Sequence, residues 1–329
     1  MTTQLVGKQI GAIGYGLMGL TWRRQPPSQE QAFDAMNAAL AAGCNFWNGG
    51  ELYGPPNANS LHLLNKYFTK YPEKAGQVVL SIKGGLDSNM HADGSPEGVR
   101  RSVENCLKIL DGKKSIDIFE YARVDKRVPI EETLKHLDEY VKAGKIGGIG
   151  LSEVSAATIE RAVKVTKIAG VEVEVSLFST HILESGVAEA CAKHQVPIVA
   201  YSPMGRGFLT GEVKSPSDIP DGDMRKHMPR FQGENFQKNL TLVDEVSKIA
   251  KQKGCTTAQL AIAWVAQLSK QLAVPVIPIP GATTVERVAE NSKKISLTSD
   301  EVAEIDSVLK SFPVSGERYP ESHMSHVDV

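Results

Sequence analysis

Short β-branched runs alternate with segments of helical periodicity along almost the whole chain. Eight runs are typical of strands, and they cover residues 9–13, 45–47, 78–82, 116–121, 146–151, 171–177, 197–201 and 274–279. Between them lie amphipathic stretches such as 28–42 and 97–110, each followed closely by a glycine that can end a helix. Eight parallel strands joined by right-handed helical crossovers close into a barrel of roughly 250 residues. The sequence therefore predicts an α/β fold, a single (β/α)8 TIM barrel.

One spacing departs from this pattern, because the seventh predicted strand starts at residue 197 and the eighth only at 274. The interval holds a Pro-, Gly- and Asp-rich stretch, 205–235, and two helical segments, 238–253 and 256–268. We therefore expect a long loop with extra helices between strands 7 and 8. Active sites in this fold lie at the carboxyl ends of the strands, so the loop is either a lid beside the site or a peripheral insertion.

The barrel accounts for the length of the chain as one domain, residues 1–329, with a C-terminal tail at 314–329. The tail is polar and contains Pro320. Either it crosses the barrel mouth as a substrate loop or it is disordered.

Composition excludes several classes of function. With 37 basic and 38 acidic side chains the net charge is -1, so no single-sign field exists to bind nucleic acid or an acidic membrane surface. No apolar run approaches the roughly 18 residues that a membrane span needs, and the first residues lack the apolar core of a secretory signal. The four cysteines are far apart, which favours buried free thiols over a disulfide or a metal site. We expect a cytoplasmic protein without a metal, and we leave the nucleus open.

A glycine motif near the N-terminus matches the dinucleotide fingerprint G-x-G-x-x-G at Gly14, Gly16 and Gly19. In a Rossmann fold the helix must begin inside that motif, so that its amides meet the pyrophosphate. Here the capping pattern Ser28-x-x-Gln31 places the helix start well after the motif. We therefore favour a barrel over a Rossmann fold, and we expect the glycines to let the backbone approach something bound at the barrel mouth.

Three polar residues stand at or just beyond the ends of the second and third predicted strands: Asn48, Tyr53 and Lys83. A lysine about 4 Å from a tyrosine hydroxyl contributes about 4 kcal/mol to the phenolate at an effective dielectric near 20, or about three pKa units. The pKa of Tyr53 would then fall to near 7, where it can act as a general acid toward a carbonyl during hydride transfer. The alternative for Lys83 is a surface position. The alternative for Tyr53 is a ring packed in the core with its hydroxyl exposed to solvent.

These residues resemble the aldo-keto reductase superfamily over about residues 6–313. The segments 48–54 (Asn-Gly-Gly-Glu-Leu-Tyr-Gly), 144–152 and 279–291 are similar to three of its motifs, and Lys83 falls at its catalytic lysine. Segments 13–22 and 122–125 look most like the fungal pyridoxal reductases. The resemblance implies reduction of an aldehyde to an alcohol, most closely of pyridoxal to pyridoxine. Tyr53 would donate the proton, Lys83 would lower its pKa, and Asn48 would stand at the position of the family's aspartate.

The resemblance also implies NADPH as the cofactor, bound by Ser152, Glu153, Glu172, Tyr201, Ser202, Met204, Gly207, Gly281, Thr283, Arg287, Glu290 and Asn291. The first three would hold the nicotinamide carboxamide, the tyrosine would stack on the ring, and the next three would meet the pyrophosphate. Arg287 would pair with the 2′-phosphate, since a guanidinium matches phosphate oxygens in fork geometry, and the last two would hold the adenine. Trp22 and Ala122 would line the pocket of a small carbonyl substrate. The oligomeric state is not predicted.

Two members of the family's catalytic four are altered. Asn48 replaces the aspartate and Ala122 replaces the histidine, which opens room for a bulkier ring or a water. An unpaired Lys83 could lower the pKa of Tyr53 further or lose its own proton, so the direction stays open. We hypothesise that Glu120, on the same strand face as Ala122, supplies the missing negative charge within about 6 Å of Lys83. The alternative is a Glu120 carboxylate hydrogen-bonded elsewhere inside the barrel.

The alternative function is an NADPH-binding regulatory or sensor subunit with weak turnover. The potassium-channel β subunits of the same superfamily are of this type, and they also lack the histidine but retain the aspartate. A reductase of another aldehyde or ketone is the other alternative, since one barrel supports many chemistries through its loops.

Overall fold

Eight parallel strands form the centre of the fold in a computed structural model that describes residues 3–324, 327 and 328. A hairpin of β1 (Thr3–Leu5) and β2 (Lys8–Ile10) precedes them. The barrel strands are β3 (Tyr15–Gly16), β4 (Phe46–Gly50), β5 (Val79–Gly84), β6 (Ile118–Tyr121), β7 (Ile149–Ser152), β8 (Ile168–Glu174), β9 (Ile198–Tyr201) and β10 (Val276–Pro278). Each strand pairs with its neighbour in chain order, and the Gly14 amide donates to the Pro278 carbonyl at 2.9 Å to join the two ends of the sheet. The predicted fold class is confirmed.

Helices lie between the barrel strands along the chain and after the last of them. They are α1 (Met18–Thr21), α2 (Gln29–Ala41), α3 (Ser60–Lys70), α4 (Pro96–Leu110), α5 (Ile130–Lys142), α6 (Ala156–Ala162), α7 (Val187–Lys193), α8 (Gly233–Lys253), α9 (Thr257–Gln271), α10 (Val285–Ser292), α11 (Ser299–Ser311) and α12 (Glu321–Met324). Helix α2 begins where its capping pattern predicts, because the Ser28 hydroxyl accepts from the Gln31 amide at 3.2 Å. The loop after β9 contains short 3-10 turns and is followed by α8 and α9, as the long interval predicts.

The predicted position of the first barrel strand is wrong. Residues 8–10 belong to the hairpin, and the barrel strand is the short β3 inside the glycine motif. Leu5 and Ile10 pack against the buried Phe46, Val79 and Ile118, so the hairpin closes the amino-terminal end of the barrel. Alternating apolar residues are typical of a hairpin that covers the end of a barrel as well as of a barrel strand. Periodicity therefore did not distinguish the two.

The first two glycines of the motif serve strand packing, and the expectation that the motif approaches a ligand stays a prediction. A Cβ on Gly14 would lie 2.8 Å from the Phe46 carbonyl oxygen, and one on Gly16 would lie 2.8 Å from that of Ile279. Such contacts are shorter than real Cβ atoms show, so only glycine lets β3 fit between its two neighbours. The single helical turn that follows, α1, was not predicted.

The cysteines are free, and three are buried while Cys255 is half-buried. Within residues 3–324, 327 and 328, no helix combines the length and apolar content that a membrane span requires. The same residues contain no group of three or more His, Cys, Asp or Glu side chains arranged for a metal ion.

Candidate active site

A lysine held by two buried carboxylates lies inside the carboxyl end of the barrel. The Nζ atom of Lys83 is 2.5 Å from Glu172 Oε1, 2.9 Å from Glu120 Oε1 and 2.9 Å from Ser152 Oγ. Strand register produces this cluster, because Lys83 pairs with Glu120 between β5 and β6, and Ser152 pairs with Glu172 between β7 and β8. The side chains of both glutamates are 3% exposed, so water screens their interaction with the lysine only weakly.

Asn48 connects the same two carboxylates from the β4 side. Its Nδ2 atom donates to Glu172 Oε2 at 2.5 Å and to Glu120 Oε2 at 3.1 Å. An aspartate at this position could donate to neither, and it would place a third carboxylate in the cluster. Asn48 at the position of the aspartate therefore accompanies two other carboxyl groups beside Lys83, those of Glu120 and Glu172.

The hypothesis for Glu120 is confirmed in its geometry, since 2.9 Å is well inside the stated limit of about 6 Å. Ser81 also donates to Glu120, at 3.3 Å. Gly150 on the neighbouring strand makes room for this side chain, because a Cβ there would lie 3.3 Å from the Glu120 Cγ atom. Glu172, predicted to hold the carboxamide, contacts Lys83 and Asn48 in the structure.

The charges of the cluster fix the protonation of its members. Burial raises the pKa of Glu172 to about 8, and the neighbouring charge of Glu120 adds to the shift. Burial opposes the charge of Lys83, but Glu120 and Glu172 outweigh it and raise the pKa of Lys83 above its ordinary value. Lys83 therefore stays an ammonium, and the alternative in which it loses its proton by desolvation is wrong.

Tyr53 lies beyond the end of β4, where three neighbours fix its ring. A Cβ on Gly50 would lie 2.8 Å from the Tyr53 Cγ atom, so the ring packs directly on the glycine backbone. The hydroxyl of Thr21 donates to the Tyr53 carbonyl at 2.6 Å. The ring of Trp22 stacks on it with centroids 5.7 Å apart, and Trp22 is itself 40% exposed. Trp22 thus stands at the rim of the site, where a substrate pocket was predicted.

The expected titration of Tyr53 near pH 7 is wrong. Burial raises the pKa of Tyr53 above its ordinary value, and the lowering effect of Lys83 is offset by Glu172 and Glu120. Lys83 alone would lower the pKa of Tyr53, but in the folded protein it is accompanied by these two carboxyl groups. Tyr53 accordingly holds its proton across the neutral range, as a proton donor must before reaction.

The position of the missing histidine carries a small buried side chain, Ala122, followed by an arginine. Arg123 Nη1 donates to the Ala122 carbonyl at 2.6 Å and to Ser152 Oγ at 3.3 Å. Sequence reasoning missed Arg123. A charged residue directly after a strand end was the signal that could have found it.

The described residues of the C-terminal tail contact the mouth of the barrel, and a substrate role for the tail stays a prediction. Arg318 pairs with Glu153 at 2.8 Å, and the hydroxyls of Tyr319 and Tyr201 are 2.9 Å apart. Farther along, Asp328 accepts hydrogen bonds from the amide and the hydroxyl of Ser155 at 3.0 and 2.9 Å. Residues 325, 326 and 329 of the predicted tail lie outside the described residues.

The contact with Arg318 occupies a residue predicted to bind cofactor. Both carboxylate oxygens of Glu153 are in use, because the Glu174 amide also donates to one of them at 2.9 Å. Burial alone would raise the pKa of Glu153, but Arg318 lowers it to about 2. The backbone of Glu153 has φ +52°, a strained conformation of the kind found at functional sites. Tyr201 remains close to the lysine, with Lys83 Nζ 5.7 Å from its ring centroid.

The other predicted cofactor residues lie on the segments that follow the adjacent strands β9 and β10: Ser202, Met204, Gly207, Gly281, Thr283, Arg287, Glu290 and Asn291. Arg287 is 42% exposed in the first turn of α10, where it contacts Glu212 and lies 2.9 Å from Glu290. Asn291 is buried and donates to the Gly281 carbonyl at 3.5 Å. Ser202 and Gly207 both have positive φ, so this loop turns sharply at the mouth.

Comparison with known proteins agrees with this geometry. Residues 12–310 match the Aldo/keto reductase family. The chain is 43% identical over 322 residues to "Probable pyridoxal reductase 2" of Schizosaccharomyces pombe, with 95% of this chain and 96% of the relative covered. It is 37% identical over 328 residues to a protein of the same yeast named as an NADP(+) aldo-keto reductase, with 97% and 94% covered. A solved glycerol dehydrogenase from Gluconobacter oxydans superposes with a TM-score of 0.84 at 26% identity, covering 96% of this chain and 97% of its own.

Proposed function

Because the chain belongs to the aldo/keto reductase family and is an oxidoreductase, we propose that it reduces pyridoxal to pyridoxine with NADPH. The observation that carries the proposal is the position of Lys83 between Glu120 and Glu172, with Asn48 joining the two carboxylates. In the family the lysine pairs with the aspartate that Asn48 replaces here. Glu120 and Glu172 restore an ion pair for Lys83.

The residues at the mouth fit a phosphorylated dinucleotide. Arg287 offers a half-exposed guanidinium beside the first amides of α10, which is the donor set that a phosphate monoester prefers. Ser152 and the ring of Tyr201 stand beside Lys83 at the opposite end, where a nicotinamide would lie. Glu212 would have to release Arg287 to admit the phosphate. We propose that the cofactor is NADPH, and when bound it supplies the hydride.

The chain's own residues would supply the proton. Tyr53 would donate its hydroxyl proton to the carbonyl oxygen of the substrate, and the Lys83 ammonium would stabilise the phenolate that remains. Glu120 and Glu172 keep Lys83 charged, and Asn48 keeps both carboxylates hydrogen-bonded. In this arrangement the proton donor and its supporting charge do not depend on the missing histidine.

The proposed substrate rests on the alanine at position 122 and on the relative. An alanine in place of a histidine removes most of an imidazole from the pocket, which favours a substituted aromatic ring such as a pyridine aldehyde. Trp22 at the rim offers a face on which that ring can stack. The name of the S. pombe relative, 43% identical, specifies the same substrate. We propose no nucleic acid or membrane partner and a cytoplasmic location with the nucleus left open, supported by the four free cysteines.

The test is the initial rate of cofactor oxidation by the purified protein with excess pyridoxal, measured with NADPH and with NADH. We expect a clear rate with NADPH, and we expect Arg287→Ala to raise the KM for NADPH by about tenfold or more while changing that for NADH far less. Other aldehydes replace pyridoxal in parallel assays. Tight NADPH binding with no turnover of any aldehyde would contradict the proposal and favour the sensor.

A further inference from the structure

An arginine at the catalytic end of the barrel has no carboxylate partner among the residues that the structure describes. Arg123 follows β6 directly and is half-buried, and its Nη1 atom donates only to the Ala122 carbonyl and to Ser152 Oγ. Two neighbouring arginines are paired, Arg206 with Glu174 at 3.1 Å and Arg318 with Glu153 at 2.8 Å. Arg123 differs from these two in making no direct ion pair with a described carboxylate, although the charge of Glu153 acts on it from farther away.

Burying a guanidinium beside neutral acceptors is costly, because they replace only part of the lost hydration. The two bonds described use one of its nitrogens, so donors of the planar fork remain for another group. A guanidinium with free donors at a binding site commonly binds an anionic oxygen. The ligand that enters the mouth is the group that can supply one.

The position of Arg123 also indicates which part of the ligand would carry the anionic oxygen. Ser152 Oγ contacts Lys83 Nζ at 2.9 Å and Arg123 Nη1 at 3.3 Å, so a single hydroxyl separates the two cations. The charges of both Lys83 and Arg123 act to lower the pKa of Tyr53 against the effect of its burial. Arg123 thus shares Ser152 with Lys83 and lies within electrostatic range of Tyr53, the proposed proton donor, so an oxygen bound to it would be borne by an atom close to the carbonyl.

We propose that Arg123 binds an acidic hydroxyl carried ortho to the substrate aldehyde, as its phenolate. This inference rests on the proposed function and deepens it, because pyridoxal carries a ring hydroxyl beside its aldehyde. The substrate class is then the ortho-hydroxy aromatic aldehydes. Arg123 is a specificity-determining residue that selects among aldehydes, while Tyr53 supplies the proton to all of them.

The test compares 2-hydroxybenzaldehyde with 2-methoxybenzaldehyde, which keeps the ring and the aldehyde but has no acidic hydroxyl. The readout is the ratio of the two kcat/KM values in each protein, so that differences in intrinsic reactivity cancel between wild type and variants. We expect Arg123→Met to lower this ratio by about tenfold or more, since charge-assisted hydrogen bonds are among the strong ones. Arg123→Lys keeps the charge without the fork and should lose about threefold or more.

A matched control comes from the same loop. Arg127 is 71% exposed and pairs with Asp125, so Arg127→Met should leave the ratio within about twofold of wild type. If Arg123→Met fails to fold, Arg123→Lys carries the test, because it preserves charge and most of the side-chain length. An unchanged ratio, or an equal loss for both aldehydes, would overturn the subsite. Absence of any aldehyde reduction by wild type would instead refute the proposed function.

Discussion

Restoring the family's aspartate should damage this protein. In Asn48→Asp, two donated hydrogen bonds become contacts between carboxylates, at the present Asn48 distances of 3.1 Å to Glu120 and 2.5 Å to Glu172. One like-charge pair at 3.1 Å costs about 5 kcal/mol at an effective dielectric near 20. The folded protein can avoid this cost by keeping one more carboxyl protonated.

Protonation of one carboxyl limits the loss of stability in Asn48→Asp, and the size of this loss depends on pH. The buried carboxyl has a folded pKa raised above its unfolded value of about 3.9, so the folded state binds that proton more tightly. The loss of stability is therefore absent below pH 4 and grows as the pH rises through the folded pKa, by at most about 1.4 kcal/mol per pH unit. We expect a loss of at most about 1.5 kcal/mol at pH 5 and of about 3 kcal/mol or more at pH 8.

Urea unfolding at the two pH values, followed by tryptophan fluorescence, measures this difference. The control is Asn37→Asp, because the Asn37 Oδ1 atom accepts from Tyr67 and Lys74 and a carboxylate can do the same. In the double variant Asn48→Asp with Glu120→Gln, the number of carboxylates returns to two, and about 2 kcal/mol of the loss should be recovered. A loss that is equal at pH 5 and pH 8, or no loss at pH 8, would refute the reasoning.

Two further substitutions test the placement of the site. Gly50→Ala puts a Cβ 2.8 Å from the Tyr53 ring and should lower kcat/KM by about tenfold or more, whereas Gly76→Ala, with open space at its Cβ, should keep the wild-type rate. Arg318→Met leaves Glu153 buried without its partner and should lower the free energy of unfolding by about 3 kcal/mol at pH 7. Because the folded pKa of Glu153 is about 2, below its unfolded value, that loss should shrink as the pH falls from about 4 toward 2. A Gly50→Ala enzyme of wild-type rate, or a pH-independent loss in the arginine variant, would contradict these expectations.

The sequence predicts those parts of the fold that depend on local pattern. The capped start of α2 at Ser28 and the interval that holds α8 and α9 are examples, because capping and periodicity are properties of neighbouring residues. Side chains alternate between the two faces of a strand, so the sequence also predicts that Glu120 shares a face with Ala122. The structure places Glu120 beside Lys83. The first barrel strand was missed because its two residues are too short for a pattern.

The electrostatics of the site could not be predicted from the sequence. The pKa of Tyr53 depends on two carboxylates from β6 and β8 that meet only in the closed barrel. The pairing of Arg318 with Glu153 joins residues 165 positions apart, which no local pattern encodes. Its position directly after a strand could point to Arg123 in the sequence, but its lack of a direct ion pair with a described carboxylate is visible only in the folded structure.

The central claim is that Tyr53 donates the proton while Lys83, held by two glutamates, supports it. The most direct test is the kcat of Tyr53→Phe with NADPH and pyridoxal against that of wild type, with cofactor binding to both proteins followed by fluorescence. We predict a fall in kcat of at least about 10²-fold with NADPH binding retained. A fall of less than about threefold would show that another group donates the proton, and would contradict the account.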